Sequence, residues 1–295
     1  MLGVLLHTEV PEEQGRIAKV RNKTTVGDVF SYIFLFIMAL FAGFPLLQVL
    51  LNSFKVDSEA QTRPLGLPKE WIFTNYKDTW EIGGYARAYF NTLMIAFFVV
   101  IFVVVLVGFS SYALSKLEFK GREFFTAYFF VAISIPGFSH IVPDYFLFNK
   151  LGLIDSRWGL IIVYVAIIIP FSVLLLKNFL AGIPRELEEA AKIDGCNEID
   201  ALVHVTFPIA KPIVMTVALL AVVRVWNEFL WANTFIQTDE LKNVSTRFVK
   251  FVGEYNRNMA RIYTASVIAI APVIVMYTLF SKKFIEGMTS GSVKG

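Results

Sequence analysis

Met94-Ile95-Ala96-Phe97-Phe98-Val99-Val100-Ile101-Phe102-Val103-Val104-Val105-Leu106-Val107-Gly108 is a stretch without one polar side chain. It sits inside a longer run, 88–115, that lacks Asp, Glu, Lys and Arg. Its Val, Ile and Phe content would favour a strand in water, but ordinary strands hold only about 5–6 residues. In a bilayer every backbone amide needs a partner within the segment, so the run is a helix. At about 1.5 Å per residue it covers the roughly 30 Å of hydrocarbon.

Four more charge-free runs reach or approach that length, at 29–54, 124–143, 158–176 and 262–281. A sixth, 212–238, is interrupted only by Arg224 and Glu228. With 56% hydrophobic and 17% charged residues among 295, the chain has too little polar material to cover a water-soluble particle. These observations predict an all-α polytopic membrane protein with six transmembrane helices. Residues 1–28 form a polar cytoplasmic lead, 29–281 the membrane domain with a polar loop at 184–208, and 282–295 a cytoplasmic tail. The first run is too long for a cleaved signal and should remain as an anchor.

Lys116, Lys120 and Arg122 fill the turn between the second and third runs, and Arg16, Lys19, Arg21 and Lys23 precede the first. Both segments lie on one side of a six-span topology, which places both termini in the cytoplasm. The net charge of +3, with no basic block interleaved with aromatics, gives no support for nucleic-acid binding. A single Cys196 excludes an intrachain disulfide, and His7, His140 and His204 are too scattered to suggest a metal site. Residues 55–87 read as an ordered external loop with room for a short helix, and the charged segment 239–261 as a solvated loop. Pro136, Pro170 and Pro272 should kink their runs. Those kinks suit either packing or a moving gate.

The loop between the fourth and fifth runs contains Glu186-Leu187-Glu188-Glu189-Ala190-Ala191-Lys192-Ile193-Asp194-Gly195 after Pro184. Acidic residues crowd a helix start, where the dipole favours them, and Gly195 can take the left-handed conformation that ends the turn. Asn197 offers an N-cap with Asp200 three residues on, so a second short helix should follow. From residue chemistry alone this is either a solvated acidic turn or a surface that a soluble partner grips.

That stretch, with Phe207-Pro208 and Pro212, resembles the EAA loop of permease subunits in bacterial ATP-binding-cassette importers. Asn91-Thr92, Ser111 to Lys116, Phe119 to Arg122, Leu151 to Ser156, Trp226 to Ala232 and the ending Gly287 to Gly295 are similar to the carbohydrate permeases of the maltose-transporter type. Phe207 stands where that family commonly has Leu. The resemblance implies a multi-pass protein of the bacterial cytoplasmic membrane that imports an oligosaccharide or modified carbohydrate. It implies a second homologous permease, two ATPase subunits holding ATP and Mg2+, and an extracellular or periplasmic sugar-binding protein, with no cofactor on this chain. It assigns Glu188, Glu189, Ala190, Ala191, Asp194 and Gly195 to ATPase coupling, and Gly291, Ser292, Val293, Lys294 and Gly295 to a second ATPase contact.

Arg224 and Glu228 stand one helical turn apart and so can pair in the protein interior, since an arginine exposed at mid-membrane costs about 2.5–3.5 kcal/mol. The pair either organises the bundle or lines a polar path. Trp226, Asn227, Trp231 and Tyr263 are candidate path residues, because aromatics stack on sugar faces. The chain lacks a phosphate loop ending Gly-Lys-Ser/Thr and any catalytic carboxylate pair, so it is not expected to be an enzyme. An ion-coupled carrier or channel, and a noncatalytic scaffold, are the alternative functions. Neither the carrier nor the channel explains the EAA loop.

Overall fold

The charge-free runs become helices because only local i to i+4 pairing satisfies an apolar backbone in lipid. The computed structural model describes residues 26–252 and 258–289, with side chains over 27–252 and 258–280. The basic lead from Arg16 to Lys23 and the tail residues Gly291 to Gly295 lie outside the described residues. The chain forms two units, 1–47 and 48–295. The described part of the first is the leading portion of helix α1 (Val26–Asn52), which is apolar around its circumference and contains Pro45.

The second unit carries the remaining helices. Short helices α2 (Asp57–Thr62) and α3 (Thr74–Gly83) occupy the expected ordered connection. They are followed by α4 (Tyr85–Lys116), α5 (Arg122–Ser134), α6 (Ile141–Lys150) and α7 (Arg157–Ala181). Next come α8 (Glu186–Ile193), α9 (Glu198–Ala201), α10 (Phe207–Asn227), α11 (Leu230–Phe235), α12 (Val244–Arg247) and α13 (Met259–Thr289). A π-helical turn, Leu202–Thr206, joins α9 to α10.

Among the described residues, five helices are long and apolar enough to cross a membrane. The run 124–143 is not one straight helix: α5 and the segment Gly137–Lys150 meet at 90°, and taken as one broken span they bring the number to the six expected. Ile135 and Pro136 are extended at that corner, with ψ of 119° and 126°. Proline removes an amide donor and bars its predecessor from helical geometry, so here it breaks the run. Pro170 and Pro272, in contrast, stay inside α7 and α13.

The core is built on i to i+4 ridges. Ile95, Val99, Val103 and Val107 of α4 and Ile213, Val217, Ala221 and Val225 of α10 are buried in one cluster with Leu160, Ile161 and Tyr164 of α7. Rows at that spacing interdigitate when helices cross. Lipid tails are as apolar as these side chains, so close approach and cross-helix hydrogen bonds hold the bundle. Gly108 illustrates the first: a Cβ there would sit 2.9 Å from the Phe207 ring. Ser111 illustrates the second, donating to the Val173 carbonyl at 3.1 Å.

The segment from 239 onward is not a solvated loop over its described part. Arg247 is 3% exposed and binds the Asp239 carboxylate at 2.8 Å. Asn91 of α4 donates to the carbonyls of Glu240 and Lys242 at 2.8 and 3.1 Å, and Thr92 accepts from the Val244 amide at 3.0 Å. Backbone groups of the segment thus tie it onto α4, while Arg247 and Asp239 pair within it. A second tie joins the turn before α7 to the end of α11. The Asp155 amide donates to the Phe235 carbonyl at 2.8 Å. Burial raises the Asp155 pKa, but the Thr238 hydroxyl and the Thr238 and Gln237 amides outweigh it and hold the carboxyl below its usual range.

Gly159, in the first turn of α7, is pressed against backbone. A Cβ would lie 2.1 Å from the Leu153 carbonyl oxygen, which cannot swing aside as a side chain could. Gly159→Ala is therefore expected to lower stability by about 1–3 kcal/mol, read as a lower thermal midpoint of the purified protein. Gly137→Ala, at a position with open space, should leave the midpoint nearly unchanged.

Candidate functional site

Helix α8 follows Pro184 and begins with Glu186, Glu188 and Glu189 in its first turn. It ends where Gly195 takes φ +90°, the Gly195 amide donating to the Lys192 carbonyl and the Cys196 amide to the Ala191 carbonyl, at 3.1 and 3.0 Å. That closure uses the left-handed glycine expected from sequence. Asn197 then forms the expected capping box: its Oδ1 accepts from the Ile199 and Asp200 amides at 2.9 and 3.0 Å, and Asp200 accepts from the Asn197 amide.

The two faces of α8 differ. Glu188 and Ala191, three residues apart, point inward and are each 7% exposed. The Glu188 Oε1 lies 3.4 Å from the Lys116 Nζ at the end of α4 and accepts from the Thr206 hydroxyl at 3.1 Å. Lys116 also donates to the Ile183 carbonyl at 2.8 Å. Outward lie Leu187, Glu189, Ala190 and Ile193, the last 87% exposed. Lys192 and Glu198 join α8 to α9 at 2.6 Å, and Tyr112 of α4 donates to the other Glu198 oxygen at 3.1 Å. The Lys192 hydrogen bond to Glu198 raises its pKa, keeping the ammonium charged.

A recess of about 490 Å³ lies elsewhere in the bundle, bordered by Tyr128, His140, Asp144, Val163, Pro170 and Arg224. His140 Nδ1 and Asp144 Oδ2 are 2.7 Å apart, and the His140 ring packs on Trp231 at 5.3 Å. The expected Arg224–Glu228 pair does not form. Helix α10 stops at Asn227, and at its cap, Glu228, a ψ of 119° turns the following chain out of the helix. The Glu228 carboxylate caps α11 instead, accepting from the Trp231 and Ala232 amides at 3.0 Å each and from the Tyr164 hydroxyl at 2.9 Å.

The match to known proteins covers most of this framework. Residues 105–288, from the middle of α4 into α13, match the model of the binding-protein-dependent transport system inner membrane component. The chain belongs to that family. This family member is 29% identical over 267 residues to the diacetylchitobiose uptake system permease protein NgcG of Streptomyces coelicolor, covering 90% of this chain and 88% of the relative. It is 30% identical to the sulfoquinovosyl glycerol transport system permease protein SmoH of Agrobacterium fabrum, covering 85% and 89%. Its fold superposes on a bacterial ABC transporter involved in the import of the acidic polysaccharide alginate, with a TM-score of 0.78, 25% identity and coverage of 89% and 98%. The family member is thus a multi-pass inner-membrane permease, and its class consists of transport subunits rather than enzymes.

Within this permease, Glu189, Ala190, Asp194 and Gly195 are on the open side of the α8 turn, whereas Glu188 and Ala191 are on the closed side. Glu188 is therefore an anchor within its own chain. Arg224 and Asn227 are exposed, but Trp226 and Trp231 are 4% and 3% exposed and form walls of the interior. The Trp226 Nε1 donates to the Ala269 carbonyl at 2.9 Å, and its ring meets Tyr89 edge-on. Neither indole offers the open face that sugar stacking needs. Lys116, Thr206, Tyr164, His140 and Asp144 were not singled out as site residues in sequence. The Glu188 position carried a usable signal, since a carboxylate three residues before Ala191 shares its face and needs a cation if that face is covered.

Removing one partner of a buried ion pair costs about 3–5 kcal/mol, because the other charge is stranded. Glu188→Leu and Lys116→Met are each expected to destabilise on that scale, while the double variant should recover part of the loss. Thermal or denaturant midpoints of the four proteins measure this, and additive losses would remove Glu188 and Lys116 as a pair.

Proposed function

We propose that this permease is one of two homologous membrane subunits of an ATP-driven importer for a carbohydrate delivered by an external binding protein. One observation carries the reading: the α8 turn is locked to α4 and α10 on one face and open on the other. An open, acidic, partly apolar helix face at a polar end of the bundle suits a cleft on a soluble subunit. The permease then belongs with two cytoplasmic ATPase subunits that hold ATP and Mg2+, with both of its own termini on their side. The similarity to NgcG, SmoH and the alginate importer supports the carbohydrate class.

On this reading, closure of the ATPases on ATP pushes the face formed by Leu187, Glu189, Ala190 and Ile193. Glu188 passes the displacement to Lys116 on α4 and Thr206 before α10. Those helices build the bundle core, so their shift alters access to the recess beside Arg224. Gly195 gives the turn its sharp end, and Asp194 stands beside it. The tail from Gly291 to Gly295 supplies a second ATPase contact. Arg224 and Asn227 are the path residues among those singled out in sequence, and hydrolysis resets the cycle.

Glu189→Lys tests the contact. Reversing a charge at a docked interface typically costs about 2–5 kcal/mol, so copurification of the ATPase subunits should fall at least about tenfold while membrane abundance of the permease stays unchanged. Carbohydrate-stimulated ATP turnover in the reconstituted complex should fall with it. Normal assembly and uptake with Glu189→Lys would contradict the docking face.

A further inference from the structure

The connection between α2 and α3 exposes four large apolar side chains in one short stretch. Leu65, Leu67, Trp71 and Phe73 are between 50% and 72% exposed. Arg63 and Lys69, beside the two leucines, are exposed as well. The polar groups of the same segment collect elsewhere: Glu59, Thr62, Arg63, Lys69 and Glu70 border a hollow of about 350 Å³ that none of the four apolar side chains lines.

The segment is fastened to the point where α1 ends. Asn52, in the last turn of α1, donates to the Pro64 carbonyl at 2.9 Å. The buried Lys55 ammonium donates to the Arg63 and Pro64 carbonyls at 2.8 and 3.2 Å, and so clamps the turn that carries the leucines. Farther along, the Ile72 amide donates to the Phe54 carbonyl at 2.7 Å, and the Phe54 ring meets those of Trp71 and Phe73 at 5.3 and 5.2 Å.

That attachment fixes the depth of the segment. Counted from Val29, about 20 residues of α1 at roughly 1.5 Å each cover about 30 Å of hydrocarbon, which brings the chain to its edge near Gln48. Asn52 and Phe54 therefore lie in the headgroup layer, and the side chains bonded to them lie there too. At this level an indole ring is at home, and apolar side chains bury themselves about 5–10 Å into the acyl boundary. Arginine and lysine reach phosphates there while their stems stay among apolar groups. An exposed apolar group of this size marks a contact with protein or lipid, and its depth favours lipid.

We infer that residues 65–73 form a membrane-surface anchor. Leu65, Leu67, Trp71 and Phe73 enter the headgroup–acyl boundary of the leaflet at which α1 ends, with Arg63 and Lys69 at its phosphates. The anchor reaches α13 as well, since the Asp57 carboxylate of α2 accepts from the Met259 amide at 2.6 Å. It thus holds the end of α1 and the start of α13 at one surface, whatever solute is carried.

The test uses the complete transporter in proteoliposomes, cysteine-free and with Cys196 replaced by Ser. A nitroxide label is placed at Leu67→Cys and, as a reference beside the polar hollow, at Ser58→Cys. Leu67 is exposed, so its label displaces no packing, and Leu65→Cys gives the same reading if the first variant does not assemble. Collisions with oxygen, which concentrates in lipid, are compared with collisions with a nickel chelate, which stays in water. In the absence of binding protein, Leu67 should lose most of the chelate collisions seen at Ser58 and be dominated by oxygen. Chelate collisions prevailing at Leu67 overturn the anchor, and if added binding protein then removes them, the patch is a docking surface for that protein instead. Protection of Leu67 from both reagents also overturns it and assigns the patch to a contact with another subunit.

Discussion

A buried carboxylate is the constraint on which the working end of this permease depends. Glu188 is almost covered, and isolated burial of its charge would cost several kcal/mol, so it can stand there only with the Lys116 ammonium 3.4 Å away and the Thr206 hydroxyl at 3.1 Å. The consequence is geometric. A helix of eight residues is too short to hold a fixed pose by its own propensity. Here it is tied at one point to the end of α4 and the approach to α10, two of the helices that build the core. The π-helical turn Leu202–Thr206 lies on that route, adding a residue to the turn that brings Thr206 to Glu188. The open face of α8 is free for a partner because the closed face already has one.

The same economy of charge shapes the opposite end of α10. Glu228 is extended and spends its oxygens on the first amides of α11, which would otherwise be orphan donors. Its third bond, to Tyr164, pins that break to α7. The pair that sequence suggests between Arg224 and Glu228 is thereby replaced by a cap, and the guanidinium faces the recess. A break in one helix thus lies between the wall residues Trp226 and Trp231 and is held by one carboxylate.

Sequence spoke most clearly where a single physical rule dominates. The apolar runs around Val99, Leu174 and Ile268 could only be helices in lipid, and Asn197 with Asp200 and Gly195 with Cys196 obey local rules that need no tertiary context. The α8 turn was legible as an element, but the split between its faces was not, because the inward role of Glu188 depends on Lys116, which lies 72 positions earlier. The right-angle corner at Pro136 exceeded the bend expected of it, since proline fixes where a helix weakens and packing fixes how far it turns. The Arg224–Glu228 pairing failed because the chain turns at Glu228 and brings the first amides of α11, with the Tyr164 hydroxyl, onto the carboxylate. The segment beginning at Asp239 looked solvated from its charges, yet Arg247 is buried on Asp239 and the backbone is held by Asn91 and Thr92, contacts that bridge about 150 positions of sequence.

The central claim is that α8 and the end of α4 move as one body when ATP binds. Pulsed spin-label distances in the assembled transporter address it directly, with labels at Ile193 on the open face of α8 and Lys120 just past α4, in a background where Cys196 is replaced by Ser. The distance should be the same in the nucleotide-free and ATP-bound states, and should broaden when Glu188 is changed to Leu. A distance that shifts on ATP binding with Glu188 intact would mean that α8 slides independently of α4, and would contradict the account.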